Sequence, residues 1–172
     1  IAPRESYDMK IESILTAVLI AAAALAALIF VAPFSAPYGA YVHLDGAIGI
    51  MDHHWGISFP DVTYALGDIL CHQQYGRSVI LNGSQMPLCA RCAFAVAGIA
   101  LGALLLLLRK GMGARPALIG GLILIASVAV DWAIQASLGA AFMPSLAITG
   151  ISGGIGLSLL LYAYLVHGIE KK

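Results

Sequence analysis

Four apolar runs, each close to the ~20 residues that cross a bilayer as a helix, limit what this chain can fold into. They lie at about 11–34, 92–108, 116–138 and 144–166. Backbone polar groups have no water to bond inside a membrane, so such runs must satisfy themselves as helices. Pro33 and Pro37 close the first run, Arg109-Lys110 stops the second, and Pro116 suits the first turn of the third. The first run exceeds a signal-peptide core and lacks a clear A-x-A site, so it reads as a true span. Composition agrees: 60% of the 172 residues are hydrophobic and 10% charged, against about 25% charged in a soluble domain. The expected fold is all-α, one integral membrane four-helix bundle over residues 1–172, with the lipid bilayer as its partner. Net charge is zero and no basic tract exists, which argues against nucleic acid.

Lysine and arginine set the orientation. Arg4, Lys10, Arg109, Lys110, Arg115, Lys171 and Lys172 fall on one side of four spans, and only Arg77 and Arg91 on the other. Both termini are therefore expected in the cytoplasm of a plasma-membrane protein, and residues 35–91 form an extracytoplasmic cap. Within that cap, residues 35–60 are rich in Gly, Pro and aromatics and read as irregular. Pro60-Asp61 reads as a helix start with Asp61 as N-cap. Val62, Ala65, Leu66, Ile69 and Leu70 keep helical spacing, which predicts a short helix to about Gln74 with Cys71 and His72 in its last turn. Asn82-Gly83 is a turn dipeptide that brings Cys89 and Cys92 back toward Cys71. Asn82-Gly83-Ser84 is also a formal glycosylation sequon, a pattern that often arises by chance.

All three cysteines lie between positions 71 and 92. Cys89-x2-Cys92 stands at a helix start, where free N–H groups and the helix dipole favour thiolate. Cys71, His72, Cys89 and Cys92 make the four Cys/His ligands of a structural site, and this donor set favours zinc, with another transition metal as the alternative. Adjacent Cys71 and His72 must then both reach one ion, so His43, His53 or His54 is an alternative fourth ligand. A second reading is redox: a helix-end dithiol in a four-span bundle is the arrangement of quinone-linked thiol oxidases of the DsbB and vitamin-K-epoxide-reductase kind. Those use a second cysteine pair, and here only Cys71 is left over. The bland reading is an ordinary disulfide.

Other polar residues are few. Asp131 is the one acid well inside a span, about 10 Å below its cap-side end, and an ion pair with Arg91 or Arg77 is expected. Asp52-His53-His54-Trp55 is a second candidate cluster, its histidines being either additional metal ligands or interfacial residues beside Tyr41 and Trp55. His43 reads as structural and His167 as a helix-end cation. Gly98-x3-Gly102 and Gly150-x3-Gly154 allow close helix approach, within one monomer or across a homo-oligomer.

"CHQQYGRS" followed by "MPLCARC" resembles the DUF2085 family, small predicted membrane proteins of unknown function. The resemblance rests on Cys71, His72, Gln73, Arg77, Ser78, Pro87, Cys89, Arg91 and Cys92. Asp131, Gln135 and Thr149-Gly150 resemble further parts of the family's pattern. Ala147 stands where relatives often have an arginine, and Ala93-Phe94 where a glycine is usual. The resemblance implies a common site without naming a reaction. Three functions follow as expectations: a non-enzymatic membrane protein with a structural metal, standing alone or as a subunit of a larger membrane complex; a quinone-linked thiol oxidoreductase; and a small metal or proton transporter. No nucleotide-binding glycine motif, catalytic carboxylate pair or serine–histidine–acid set is recognisable.

Overall fold

The computed structural model describes residues 4–51, 53–109 and 111–170. Asp52, Lys110, Lys171 and Lys172, which entered the sequence reading, lie outside the described residues. Among the described residues, five α-helices and one two-stranded hairpin, with two short 3-10 turns, form the fold: α1 (Arg4–Val31), α2 (Phe59–Leu70), β1 (Ile80–Leu81), β2 (Ser84–Gln85), α3 (Ala90–Leu108), α4 (Ala114–Leu138) and α5 (Met143–Glu170). Four helices are long and apolar enough to cross a membrane, over Met9–Ser35, Ala90–Leu108, Ala114–Leu138 and Met143–Gly168. The fold is the expected all-α membrane bundle. A 3-10 turn, Ala32–Ser35, carries Pro33 and ends the first span. Gly139, in the left-handed conformation at φ +62°, ends α4 without the Cβ penalty other residues would meet.

The spans alternate in direction, so α3 and α5 run parallel, and both begin at the cap end. Lipid tails are as apolar as leucine, so helices in a bilayer associate through close packing rather than the hydrophobic effect. That packing falls on glycines of α3 and α5. A Cβ on Gly154 would land on the Ala95 carbonyl oxygen, one on Gly98 on that of Ile151, and one on Gly102 at 2.8 Å from the Ser158 Cβ. The Gly-x3-Gly pairs thus meet each other within the monomer. Ser158 Oγ then donates to the Ile99 carbonyl at 3.0 Å, a polar tie across the same seam. α4 closes on α5 where Gly121 and Gly156 face one another. α1 lies on the other side of α3, with Phe30 edge-on to Phe94 at 5.8 Å. Large apolar side chains point outward along the spans, including Leu104, Leu105, Ile119, Leu122, Ile123 and Ile134, as a lipid-facing surface requires.

The cap differs from the expectation in three ways. First, α2 starts one turn-position earlier: Ser58, not Asp61, is the N-cap, its Oγ accepting the Asp61 N–H at 3.3 Å. Asp61 in turn accepts from Ser58 Oγ at 2.5 Å and from the Tyr41 hydroxyl at 2.6 Å, and these bonds hold its carboxyl below the usual range, Ser58 foremost. Second, α2 stops at Leu70, leaving Cys71 extended rather than helical. Third, the helix is inverted relative to its pattern. Val62, Leu66, Ile69 and Leu70 are exposed, whereas Thr63, Tyr64, Gly67 and Asp68 are buried. The small polar face packs inward because Gly67 must lie on the chain that leads to Cys89. A Cβ there would strike the Pro87 carbonyl and come within 2.6 Å of Gln73 Nε2. The Asn82-Gly83 turn forms as expected, both residues at positive φ (51° and 69°), joining β1 to β2 with Ile80 opposite Gln85.

Gly154→Val is expected to destabilise the bundle by about 1–3 kcal/mol or more, because a backbone rather than a side chain must yield. Gly120→Ala, whose Cβ would meet only Leu159 Cδ1 at 3.6 Å, is expected to be neutral. Thermal unfolding of both variants in detergent checks the contrast.

Candidate metal centre

Two parts of the chain meet at the cap end of the bundle: the C-terminal cap of α2, which supplies one cysteine, and the head of α3, which supplies two. Cys71 caps α2, Cys89 is the N-cap of α3, and Cys92 sits in its first turn. Their Sγ atoms lie within 4.8 Å of one another. Cys71 and Cys89 are buried and Cys92 half-buried, and none is in a disulfide. Ile29, Met86, Leu88 and Ala93 pack around the group, so little water competes for the sulfurs.

Cys71 Sγ accepts the Cys89 N–H at 3.3 Å. This is one of the donors a helix N-terminus leaves without an intrahelical partner. The neighbouring Cys89 and Cys92 thiols also donate to Cys71, and together with the N–H groups of Cys89 and Gln73 they hold its thiol far below the ordinary range. The Cys89 thiol is pushed up, to about 11, chiefly because it gives its proton to Cys71. Of the two, Cys71 is thus the sulfur whose surroundings favour the thiolate. A cation between the three sulfurs would let all three ionise, since metal binding and thiol deprotonation are linked.

The donor set fits such an ion. A point between the sulfurs lies within about 2.8 Å of all three, against a Zn–S bond of about 2.3 Å, so closure needs shifts of a few tenths of an ångström. His72 stands outside the sulfur group. Backbone at Cys71 is extended (φ −149°, ψ 146°), and successive side chains on extended backbone point to opposite sides. His72 instead turns away and accepts the Gln74 N–H on Nδ1 at 3.2 Å. Of the four expected ligands, the structure thus brings the three cysteines together and leaves His72 outside their group.

The remaining sequence candidates separate into two polar clusters. His53 faces Asp68, with Nδ1 3.3 Å from the carboxylate and its N–H donating at 3.1 Å. Trp55 Nε1 donates to the same carboxylate at 2.9 Å. Asp68 is fully buried, so these donors compensate an otherwise costly charge. His54 is exposed, and among the described residues no metal-ligand group contains either histidine. Tyr41 and Trp55 stack on the fully buried Tyr64, with Tyr41 and Tyr64 rings 4.0 Å apart. Burial and the bond to Asp61 raise the Tyr41 phenol to about 12. His43 is exposed and stacks on Tyr75 at 4.3 Å.

The second cluster lies below the sulfurs. Arg91, between the two cysteines of the motif, pairs with Asp131 on α4. Asp131 also accepts from Gln135 Nε2 at 2.8 Å and from the Thr149 hydroxyl at 3.2 Å. The ion pair thus forms with Arg91, while Arg77 sits in the 3-10 turn Tyr75–Arg77 with no carboxylate at ion-pair distance among the described residues.

Gln73 binds the centre to the cap. It is fully buried at φ +44°, a conformation L residues adopt at a cost. Its Nε2 donates to the Pro87 carbonyl at 2.7 Å and to that of Tyr64 at 3.3 Å. Gln85 works from the other side: its Oε1 accepts the Leu44 N–H at 3.2 Å, and its Nε2 donates to Ser78 Oγ at 3.2 Å and to the Gln73 carbonyl. Sequence reading passed over Tyr64, Asp68 and Gln85. The available signal was Tyr64 and Asp68 four residues apart, on one face of a helix beside a glycine.

Removing one member of the Arg91–Asp131 pair leaves a charge without its partner in a membrane helix, so Asp131→Leu and Arg91→Leu are each expected to cost about 3–5 kcal/mol. The double variant is expected to recover much of that loss. Unfolding of the four proteins of this cycle in detergent measures the coupling.

No curated protein and no solved structure matches the chain. The family described as "predicted membrane protein (DUF2085)" matches residues 71–160, from the first cysteine of the centre to the middle of α5. That stretch holds the three sulfurs, Gln73, Gln85, the Arg91–Asp131 pair and the glycine seam, and the chain belongs to the DUF2085 family of membrane proteins.

Proposed function

We propose that this is a non-enzymatic membrane protein whose extracytoplasmic cap is clasped by a structural zinc ion on Cys71, Cys89 and Cys92. The convergence of three sulfurs, one from the end of α2 and two from the head of α3, carries the reading. A cap with little core of its own gains stability from a metal that binds only the folded form. The seven-to-two bias of lysine and arginine supports the extracytoplasmic side and a plasma-membrane location. Membership of a larger membrane complex is supported by the outward apolar face of α2, where Val62, Leu66, Ile69 and Leu70 are 42–56% exposed outside the spans.

Protein purified without added metal or chelator is expected to contain one zinc per chain, with thiols that react only after chelation or unfolding. Cys71→Ser, Cys89→Ser and Cys92→Ser are each expected to lower the zinc content severalfold and to loosen the cap. His72→Ala is expected to keep the metal, because its ring is turned away. Elemental analysis with thiol counting decides the matter. A metal-free protein with a reducible bond between Cys89 and Cys92 overturns the clasp, and loss of zinc in His72→Ala makes that histidine the fourth ligand.

A further inference from the structure

Two cavities on the α4 side share one wall, the indole of Trp132. The upper, about 620 Å³, lies between the cap and the α4–α5 turn and is lined by Asp45, Gln74, Arg77 and Gln135. The lower, about 470 Å³, lies between α3, α4 and α5. It is bordered at the top by Arg91 and Thr149 and below by Ile125, Val128 and Leu157. Trp132 is thus the hinge between a polar compartment and an apolar one, the position that its amphipathic ring favours at a membrane boundary.

Two residues that line these cavities, Gln135 above and Arg91 below, carry polar atoms without partners. Gln135 is 5% exposed, and its Nε2 donates to both Asp131 and Ser145 at 2.8 Å. The carboxylate accepts only, which fixes the amide's orientation and leaves Oε1 with no donor. Arg91 spends a terminal nitrogen on Asp131, and its Nε–H has no acceptor. Arg77 contributes an unpaired cation at the upper wall, and Asp45, which accepts the Tyr75 N–H at 2.7 Å, contributes an anion. Unpaired buried groups are costly where water is scarce, so Gln135 Oε1 lacks a donor and Arg91 Nε an acceptor, while the half-buried Arg77 and the exposed Asp45 offer one charge of each sign at the upper wall.

We propose that the two cavities form one binding site for a zwitterionic glycerophospholipid with a primary ammonium, phosphatidylethanolamine. Its phosphate pairs with Arg77, a matched use of guanidinium. Its ammonium offers N–H donors to Asp45 and Gln135 Oε1. A glycerol ester carbonyl accepts from Arg91 Nε, and one acyl chain fills the groove below Trp132. A choline head carries the same charges without N–H donors, and a glycerol head brings no cation for Asp45. These two lipids are the discriminating controls.

The full chain, stripped of lipid by detergent exchange, is offered phosphatidylethanolamine, phosphatidylcholine or phosphatidylglycerol of identical acyl chains, and retained lipid is read by native mass spectrometry. One phosphatidylethanolamine per chain is expected, with the other two retained about tenfold more weakly, the cost of one lost charged hydrogen bond. Arg77→Gln and Ala129→Phe are each expected to reduce retention about tenfold, the first at the head and the second by narrowing the apolar groove. Unfolding temperature is read alongside to show that both fold. Equal retention of all three lipids, a preference for phosphatidylglycerol, no retained lipid, or wild-type retention in both variants overturns the proposal. The ranking on the wild-type chain decides it even if a variant fails to fold.

Discussion

The close approach of α3 to α5 governs the rest of the molecule. Glycine seams let two parallel helices touch backbone to backbone, with the Ser158 hydroxyl tied to the Ile99 carbonyl across them. The start of α3 consequently lies beside Thr149 and Gly150, about two turns into α5, and brings positive dipole character and unpaired N–H groups to that level. Negative groups collect there: the Asp131 carboxylate brought by α4, and the sulfur of Cys71 brought by the cap. The polar chemistry of an otherwise apolar chain is thus concentrated by backbone packing at the end where two dipoles point the same way.

The cap is organised by buried amides as well as by two small apolar clusters. Gln73 and Gln85 reach backbone groups of segments distant in sequence, and the Tyr64 hydroxyl donates to the Gln85 carbonyl. Each bond is modest in net energy, but a buried carbonyl left without its donor is costly, so the network fixes one arrangement strongly. The sulfur group is one product of that arrangement. Gly67 lets α2 lie on the Pro87–Cys89 stretch, and the extended backbone at Cys71 turns His72 away from the sulfurs.

Much of this was legible in the residues. Four spans, the glycine seams, the Asn82-Gly83 turn and an Asp131 ion pair follow from length, spacing and the cost of charge in lipid. What failed did so for identifiable reasons. Helical periodicity in α2 marked an apolar face correctly, but periodicity does not say which side is covered, and here the apolar side faces out. Cys71 and His72 looked like joint ligands only on the assumption of a helical turn, and an extended cap residue separates them. Asp68 escaped notice because its partners, His53 and Trp55, come from an irregular segment whose course no local pattern records.

The hairpin turn carries one more consequence. Both amide hydrogens of Asn82 are committed to α1's exit, donating to the Pro33 carbonyl at 3.0 Å and the Ala36 carbonyl at 3.1 Å. Asn-Gly is chemically the least durable of dipeptides, because the following backbone nitrogen readily attacks the side-chain carbonyl and expels ammonia. That attack requires the side chain to swing freely over its own backbone, and here it is pinned to another segment. The same pinning leaves no hydrogen of this nitrogen available for a sugar once the chain has folded. The turn that joins α1 to the sulfur-bearing cap is thereby sheltered from ageing and from glycan attachment for as long as the fold persists.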